Sequence, residues 1–433
     1  MYSDFVTEAV RSAVIPMCKG TVAAAGAQWV EAVLPGARVG SRVFVVPAEG
    51  EAVPAEAASV DRERVRLHLL RASSGVRPGD EVRSDPSDGR VRCGPGVLGR
   101  VLDALGAPMD AAGPVEAVSL VPFEQAPPPP LSRRPVDRRL ITGIRVIDGC
   151  MTLGYGQRVG LFAGPGLGKS TLLSLLARRA EVDVSVVCLV GERGREINEF
   201  IHDALGPEAM KRATVIAATA DAPPMARVRS LDTATAVAEW FRARGLRVLL
   251  LVDSLTRVVR AKREAAFAMG EPPSRGGFPA SAFSFLPGVI ERTGCDAHGS
   301  ITAIYAVLTE GDGADPIAEE ARSLLDGHIV LSEKRARSGR WPAVDLLASV
   351  SRVFEKTASP EAVRAAVRLK RMESAYLENE DLILMGAYRR GTSPDTDAAL
   401  DKRAAVEDFL CQHRDERSSM DETLKALLQL SGD

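Results

Sequence analysis

This 433-residue sequence contains no motif typical of disulfide pairs, metal clusters or membrane-spanning helices. Its six cysteines stand far apart and form no C-x-x-C pair, which favours the reduced thiols of a cytosolic protein over a disulfide framework or a zinc site. No run of about 20 apolar residues free of charge occurs, as a membrane-spanning helix requires. The first residues lack the basic start and apolar run of a secretory signal. We therefore expect a cytoplasmic protein. The cysteines are Cys18, Cys93, Cys150, Cys188, Cys295 and Cys411.

Strong charge and aromatic clusters are also scarce. The net charge is −2 and aromatic residues make up 5% of the chain, which argues against a generally basic nucleic-acid binder. Before residue 95 the large aromatics Tyr2, Phe5, Trp29 and Phe44 lie far apart. Single-stranded nucleic acid is usually bound on stacking platforms of aromatic side chains, so we expect no nucleic-acid partner.

The first 95 residues have a sequence pattern typical of short β-strands. In RVRLHLL (64–70), charged or polar residues alternate with Val65, Leu67 and Leu69, the pattern of a half-buried strand. Turn signals recur at Pro35-Gly36, Pro78-Gly79 and Asp88-Gly89. This spacing predicts a small N-terminal β-barrel or sandwich over residues 1–95. Residues 96–135 are rich in Gly and Pro and contain a run of four prolines, which predicts a connecting segment.

Continuous apolar runs begin after residue 136. They suit strands buried on both faces, and helical segments at 169–180, 195–204, 230–244 and 254–268 lie between several of them. Such alternation predicts an α/β domain with a mainly parallel sheet over 136–358. From Ser359-Pro360, a helix-start signal, the chain is expected to be helical over 359–433. The runs are RVGLFA (158–163), VSVVCLV (184–190), TVIAATA (214–220), RVLLLV (247–252) and ITAIYAVL (301–308).

A phosphate-binding loop is indicated by LFAGPGLGKST (161–171), which joins an apolar strand to a helix. The pattern G-x-x-x-x-G-K-[ST] has alanine, Ala163, at its first position; alanine fits there if its φ is negative. Backbone N–H groups of the loop and the positive helix terminus would surround phosphate oxygens. Lys169 would reach the β/γ-phosphates of ATP, and Ser170 would bind Mg²⁺. The predicted nucleotide-binding residues are Gly164, Pro165, Gly166, Leu167, Gly168, Lys169, Ser170 and Thr171.

Two carboxylates follow other strands of the predicted sheet. Glu192 comes after VSVVCLV, and Asp253 ends RVLLLVD. Ligands of parallel α/β sheets bind beside the carboxyl ends of the strands. Glu192 is therefore placed to polarise a water for attack on the γ-phosphate, and Asp253 to hold Mg²⁺ opposite Ser170. Asp253 or Ser254 would also serve as an N-cap, and the two roles are compatible.

Several longer stretches resemble the rotary-type ATPases, and within them the ATPases of type III protein secretion and flagellar export. The likeness spans roughly residues 15–430 in order, and we favour the injection-type branch over the flagellar one. The stretches that carry it are TGIRVID (142–148), the phosphate loop, GERGREINEF, VDSLTRVVRAKRE, EPPSRGGFPASAFSFLPGVIERTG (271–294), EGDGADPIAEEARSLLDGHIVLS and WPAVDLLASVSR.

The resemblance implies a P-loop NTPase core in a homohexameric ring, with ATP and Mg²⁺ at subunit interfaces. It implies Glu192 as the catalytic carboxylate with Arg193 nearby, Lys169 on the phosphates, and Arg352 donated across the interface. It places Trp341 beside the adenine and Tyr388 as a second aromatic, although Tyr388 suits a packed core position nearly as well. The segment 271–294, with Gly276-Gly277, would line the central pore.

The resemblance also implies partners. They are a central stalk protein, a peripheral stator and chaperone–cargo complexes, with peripheral association at the inner face of the bacterial inner membrane through the export machinery. Two other functions stay open, a ring subunit that binds nucleotide without hydrolysis and an RNA-translocating hexamer. The basic run Arg257, Arg260, Lys262 and Arg263 is interpreted as a solvated helix face.

Overall fold

The structure is a computed structural model that describes residues 18–72, 75–87, 89–309 and 315–432. Tyr2, Phe5, Asp88 and the stretch 310–314, all used in the sequence analysis, lie outside the described residues. Among the described helices, none is long and apolar enough to cross a bilayer.

The first strands close into a six-stranded antiparallel barrel in the order β1-β2-β5-β4-β3-β6. Alternation fills its interior with apolar side chains such as Val65 and Leu67, while Arg64 and Arg66 point to solvent. His68 is an exception to the predicted alternation because it is buried. Burial lowers its pKa to about 4, against the opposing effect of Glu56. The barrel strands are β1 Lys19–Ala25, β2 Trp29–Val33, β3 Arg42–Val46, β4 Val53–Asp61, β5 Arg64–Leu69 and β6 Glu81–Ser84.

A nine-stranded sheet forms the centre of the molecule, with β19-β18-β12-β17-β15-β13-β14-β8 as its main path and β16 beside β17. The pairs from β18 to β8 along this path are parallel, which confirms the predicted mainly parallel α/β core. The remaining strands are β7 Arg90–Cys93, β8 Val101–Leu102, β9 Ser119–Pro122, β10 Arg139–Leu140, β11 Leu153–Gly154, β12 Arg158–Ala163, β13 Val184–Glu192, β14 Ala213–Thr219, β15 Arg247–Asp253, β16 Gly294–Cys295, β17 Ser300–Leu308, β18 Gly327–Val330 and β19 Val350–Ser351.

Helices cover both faces of this sheet. They pack against it through two separate apolar clusters, one on each side, as is usual for α/β domains. The helices are α1 Arg145–Cys150, α2 Lys169–Arg179, α3 Gly194–Glu199 with a π-helical turn Phe200–Leu205, α4 Gly206–Met210, α5 Pro224–Arg242, α6 Leu255–Ala268, α7 Ala280–Arg292, α8 Pro316–Leu324, α9 Glu333–Arg337, α10 Phe354–Thr357, α11 Pro360–Glu378, α12 Glu380–Leu384, α13 Pro394–Asp401, α14 Arg403–Leu410 and α15 Met420–Ser431. Short 3-10 turns occupy Pro95–Val97, Pro130–Ser132 and Arg275–Gly277.

Helix α5 begins well before the predicted residue 230. Its sequence shows no single apolar stripe because Arg229, Asp232 and Glu239 are buried along with the apolar side chains. These polar groups form ion pairs inside the protein. The start of the helix therefore cannot be recognised from the spacing of apolar residues.

The segment between barrel and core is tied to the core. Strand β8 extends the central sheet beside β14, and the Thr214 hydroxyl donates a hydrogen bond of 2.8 Å to the Val97 carbonyl. The final residues form the helices α11 to α15, in agreement with the predicted helical C-terminal region. The domain limits at 95, 135 and 358 stay a prediction.

Candidate active site

The phosphate-binding loop follows β12 directly. Ala163 is the last residue of that strand, and its carbonyl accepts the Thr309 N–H at 3.1 Å. Among the described non-glycine residues, positive φ occurs only at Arg62, so alanine fits the first loop position without strain. Gly168 has φ of 84°, and a Cβ there would lie 3.1 Å from Trp341 Nε1. Glycine is therefore required where the loop turns into α2.

Lys169, Ser170 and Asp253 meet at the carboxyl edge of the sheet. The Lys169 ammonium forms an ion pair with Asp253 Oδ1, and the Ser170 hydroxyl donates to Asp253 Oδ2 at 3.4 Å. Asp253 is only 2% exposed. The N-cap of α6 is Ser254, whose hydroxyl accepts the Arg257 N–H. Asp253 is thus left free for the phosphate loop.

Glu192 lies at the end of β13, in the same cavity as Ser170 and Asp253. Burial, aided by the charge of Asp253, raises its pKa to about 7, while Arg257 opposes the rise. The Arg257 guanidinium is 2.7 Å from the Glu192 carboxylate. A carboxyl group with a pKa near neutrality suits general-base catalysis.

The cavity has a volume of about 590 Å³, which is within the range of small-ligand sites. Its oxygen donors are of the kind that Mg²⁺ prefers, a hydroxyl and carboxylates. The donor set therefore fits the predicted metal, with Ser170 and Asp253 adjacent. The lining residues are Ser170, Thr171, Ser174, Arg178, Leu189, Glu192, Glu196, Glu199, Phe200, Asp203, Ala204, Asp253, Arg414 and Asp415.

The other predicted site residues lie in different surroundings. Trp341 packs beside Gly168 of the phosphate loop, whereas the Tyr388 hydroxyl lies 3.2 Å from the Ser393 carbonyl oxygen and 3.0 Å from Asp397 Oδ1 in the C-terminal region. Arg193 is the N-cap residue of α3, and its side chain is 79% exposed, 3.6 Å from Glu196.

Arg352 lies far from the phosphate loop of its own chain. It follows β19, the edge strand of the sheet, and its N–H donates to the Asp326 carbonyl at 3.0 Å. The Asp326 N–H in turn binds the carbonyl of Arg158, the first residue of β12, whereas the loop begins after its last residue. Arg158 and Ala163, at the two ends of β12, are five residue steps apart, which is about 16 Å along the strand. Arg352 is exposed at this edge.

Arg257 is a site residue that the sequence analysis missed. Its interpretation as part of a solvated helix face is wrong for this residue, because the guanidinium pairs with Glu192. Gly191 has φ of 68°, and a Cβ there would lie 3.2 Å from Arg257 Cδ. The available signal was its position, four residues after Asp253 in the first turn of α6. The cavity residues Arg414 and Asp415 were also missed.

Comparison with known proteins places this geometry in a family. The chain matches the model of the ATP synthase alpha/beta family, nucleotide-binding domain, over residues 143–351. It matches the T3SS EscN ATPase C-terminal domain over residues 358–429. The flagellum-specific ATP synthase of Pseudomonas aeruginosa is 44% identical, over 98% of this chain and 95% of its own length. The chain belongs to the family of type III secretion and flagellar export ATPases.

Other members of the export ATPase family agree with this assignment. The type 3 secretion system ATPase of Xanthomonas euvesicatoria is 47% identical over 79% of this chain and 78% of its own length. The structure of the assembled ATPase EscN from enteropathogenic E. coli superposes with a TM-score of 0.90 at 39% identity, and covers 95% of this chain and 100% of that one. EscN in complex with its central stalk EscO gives a TM-score of 0.88.

Proposed function

We propose that this chain hydrolyses ATP in a homohexameric ring and thereby energises protein export by a type III secretion system. The observation that carries the proposal is the convergence of Lys169, Ser170, Asp253 and Glu192 at one edge of the sheet. The work of export would be the release of chaperones from cargo and the unfolding of the cargo. Relatives from both the injection-type and the flagellar systems resemble the chain.

The site residues have separate roles in this proposal. The phosphate loop, from Gly164 to Thr171, would hold the phosphates of ATP through its N–H groups and Lys169. Ser170 and Asp253 would hold Mg²⁺, which when bound neutralises charge on the phosphates. Glu192 would accept a proton from the attacking water, with Arg193 nearby. Trp341 would pack beside the base, with Tyr388 as a second aromatic.

Arg352 would complete the site of the adjacent subunit. Its distance from its own phosphate loop and its exposure at the sheet edge support a role outside its own chain. A guanidinium group neutralises charge on the transferred phosphoryl group, and this is effective even when a second subunit supplies it. The assembled state of the relative EscN supports a ring.

The proposal includes a cellular setting. The ring would work in the cytoplasm at the inner face of the bacterial inner membrane, on a central stalk protein such as the one bound by EscN. A peripheral stator and chaperone–cargo complexes would be further partners. The flagellar alternative is tested by complementation: the chain should restore secretion in an injection-type strain that lacks its ATPase, and not flagellar assembly. Restoration of flagella alone would assign it to the flagellar system.

Substitution of the site tests the activity itself. We expect Lys169→Ala and Glu192→Gln each to lower ATP turnover by about 10²–10⁴-fold, because each removes one group that acts on the phosphates or the water. Phosphate release by the purified protein measures this. Glu208→Gln, on the surface 2.8 Å from Lys211, is the matched control and should keep full turnover.

Two outcomes of the same assay would contradict the proposal. Absence of turnover in the unaltered, assembled protein would indicate the nucleotide-binding subunit that does not hydrolyse. Turnover that depends on single-stranded RNA at low salt would indicate the RNA translocase. Circular dichroism of every variant checks that the fold is retained.

A further inference from the structure

A second arginine lies on the same face of the molecule as Arg352. Arg322 is in the last turn of α8, just before β18, and its side chain is exposed. Its guanidinium carbon lies 4.7 Å from the centre of the Phe162 ring. The Phe162 ring in turn packs edge-on against His328, with ring centres 6.0 Å apart. The buried aromatic ring therefore holds Arg322 at the β18 edge of the sheet.

The register of the edge strands places Arg352 on this face too. Val350 lies directly opposite His328 in the antiparallel pair β18–β19, so their side chains share a face of the sheet. Arg352 directly follows the strand, and its N–H continues the pairing through the Asp326 carbonyl. It therefore lies two residues beyond Val350, on the same face. Burial lowers the pKa of His328, and the charges of Arg322 and then Arg352 lower it further. The charges of both arginines thus act on this imidazole, and both favour its neutral form.

These two cations have no carboxylate partner among the described residues. No described carboxylate oxygen lies within 4.0 Å of either guanidinium group, whereas the nearby Arg158 is paired with Asp326 at 3.0 Å and with Glu291 at 2.6 Å. The apolar side chains beside Arg352 are also open to solvent, since Val350 is 43% and Leu347 38% exposed. A sheet edge with exposed apolar residues, and with cations that lack a carboxylate partner in the described part of the chain, is suited to contact with another chain that supplies an anion.

We propose that Arg322 acts together with Arg352 on the nucleotide phosphates of the adjacent subunit, as a second cation supplied across the interface. The proposal rests on the ring and the shared site proposed above. Phe162 limits the freedom of the Arg322 side chain, so less entropy is lost when the guanidinium meets the phosphates. Arg322 would lower the charge that builds up during phosphoryl transfer and would not hold the ring together.

Kinetics of a single variant give the first test. We expect Arg322→Gln to lower kcat by about tenfold or more with a smaller change in KM, because the lost interaction is strongest in the transition state. Ring assembly, measured by light scattering after size-exclusion chromatography, should be unchanged. Arg322→Lys should recover part of kcat, since it restores the charge. Arg337→Gln, an exposed arginine paired with Glu333 in its own helix, is the matched control.

Mixed rings test whether Arg322 acts on the neighbouring subunit. A mixture of Arg322→Gln with Lys169→Ala chains should exceed the summed activity of its parts, because some junctions combine an intact loop with an intact Arg322. A mixture of Arg322→Gln with Arg352→Gln chains should show no such gain, since both residues come from the same side of a junction.

Other outcomes overturn the proposal. Loss of assembly in Arg322→Gln would show that the arginine pairs with a carboxylate of the neighbour, and an unchanged kcat would show no role in the reaction. If Arg352→Gln with Lys169→Ala regains activity while Arg322→Gln with Lys169→Ala does not, only the role of Arg322 fails. If neither mixture regains activity although both co-assemble, the shared site itself is wrong.

Discussion

At the scale of single residues, the site depends on how the charge of Glu192 is balanced. Burial and Asp253 raise its pKa, and Arg257 lowers it, with the result near 7. Glu192 is thus partly protonated at neutral pH, and the fraction of the reactive carboxylate form falls as the pH decreases. Arg257 is therefore well placed to adjust the activity through the pKa of Glu192.

Replacement of Arg257 should therefore move the pH dependence of the enzyme. In the unaltered protein, kcat/KM should fall by about tenfold per pH unit below pH 7, because it reports the pKa of the free enzyme. Arg257→Gln removes the group that lowers the pKa of Glu192, so the acid limb should move to higher pH by about one unit. Steady-state kinetics between pH 5.5 and 9 measure this shift.

The control for this experiment is Arg337→Gln, because Arg337 is exposed and pairs with Glu333, a carboxylate that does not line the cavity. Its profile should match that of the unaltered protein. An acid limb that stays in place in Arg257→Gln, or that moves to lower pH, would contradict the assigned interaction.

Some residues of the site could be assigned from the sequence and others could not. Lys169 and Ser170 are fixed by a local motif, and Glu192 and Asp253 by the ends of buried strands, because parallel strands bring their carboxyl ends to one edge. Arg257 could not be assigned in this way, since its contact depends on the positive φ of Gly191 and on the adjacent positions of β13 and β15 in the sheet.

At the scale of elements, an ionic cluster joins the C-terminal helices to the nucleotide-binding core. Glu373 of α11 is buried and binds Arg335 at 2.6 Å and Arg340 at 3.1 Å, both from the segment after β18. It also accepts a bond of 2.8 Å from Arg403 of α14. One carboxylate therefore holds three segments together, so it is critical for the docking of α11 and α14.

Removal of this carboxylate should destabilise the protein. We expect Glu373→Gln to cost about 3 kcal/mol of the free energy of unfolding, because it leaves the buried cations short of a partner. Urea unfolding, followed by tryptophan fluorescence, measures the loss. The control is Glu378→Gln, on the exposed face of the same helix, which should change stability little.

The effect should also depend on pH. Burial alone would raise the pKa of Glu373, but Arg340, Arg335 and Arg403 lower it below its usual 4.5. Its contribution is therefore complete above that value and is lost as the pH falls toward the folded-state pKa. The difference between Glu373→Gln and the unaltered protein should shrink below pH 4.5. A difference that persists or grows in acid would exclude the ionic explanation.

The sequence predicted some strands and helices better than others, because only some of them have a burial pattern that is visible in the sequence. The apolar runs at 158–163, 184–190 and 247–252 identified three central strands because both faces of such strands are buried. The start of α5 was misplaced because buried ion pairs, such as Arg229 with Asp232 at 2.8 Å, put charged residues where an apolar stripe is expected. Charge in a sequence does not show whether it is solvated or paired.

At the scale of the whole molecule, the barrel is held on the core by a similar arrangement. Glu56 of β4 accepts a bond of 2.8 Å from Arg229 of α5, and Arg229 also binds Glu124 at 2.6 Å. The barrel and the nucleotide-binding core therefore have a fixed contact inside one subunit. The sequence predicted both parts separately, but not this contact, which joins residues more than 100 positions apart.

The proposed ring makes activity depend on protein concentration. Because Arg352 cannot reach its own phosphate loop, a single subunit would hold an incomplete site. Turnover per volume should therefore rise more steeply than linearly with protein concentration until the ring is fully assembled, and linearly above that point. ATPase assays across a dilution series, with mass measured at each concentration, test this. Strictly linear growth through the range where the protein is monomeric would contradict a shared site.

The ion pair between Lys169 and Asp253 has a consequence for how substrate enters. Asp253 is a counter-charge of the Lys169 ammonium, so nucleotide binding exchanges one partner for another and does not pair a charge that had no partner. The affinity then reflects the difference between two attractions, and bulk salt weakens both of them. Occupancy of the pocket should for this reason respond only weakly to ionic strength, despite the large charge of the nucleotide.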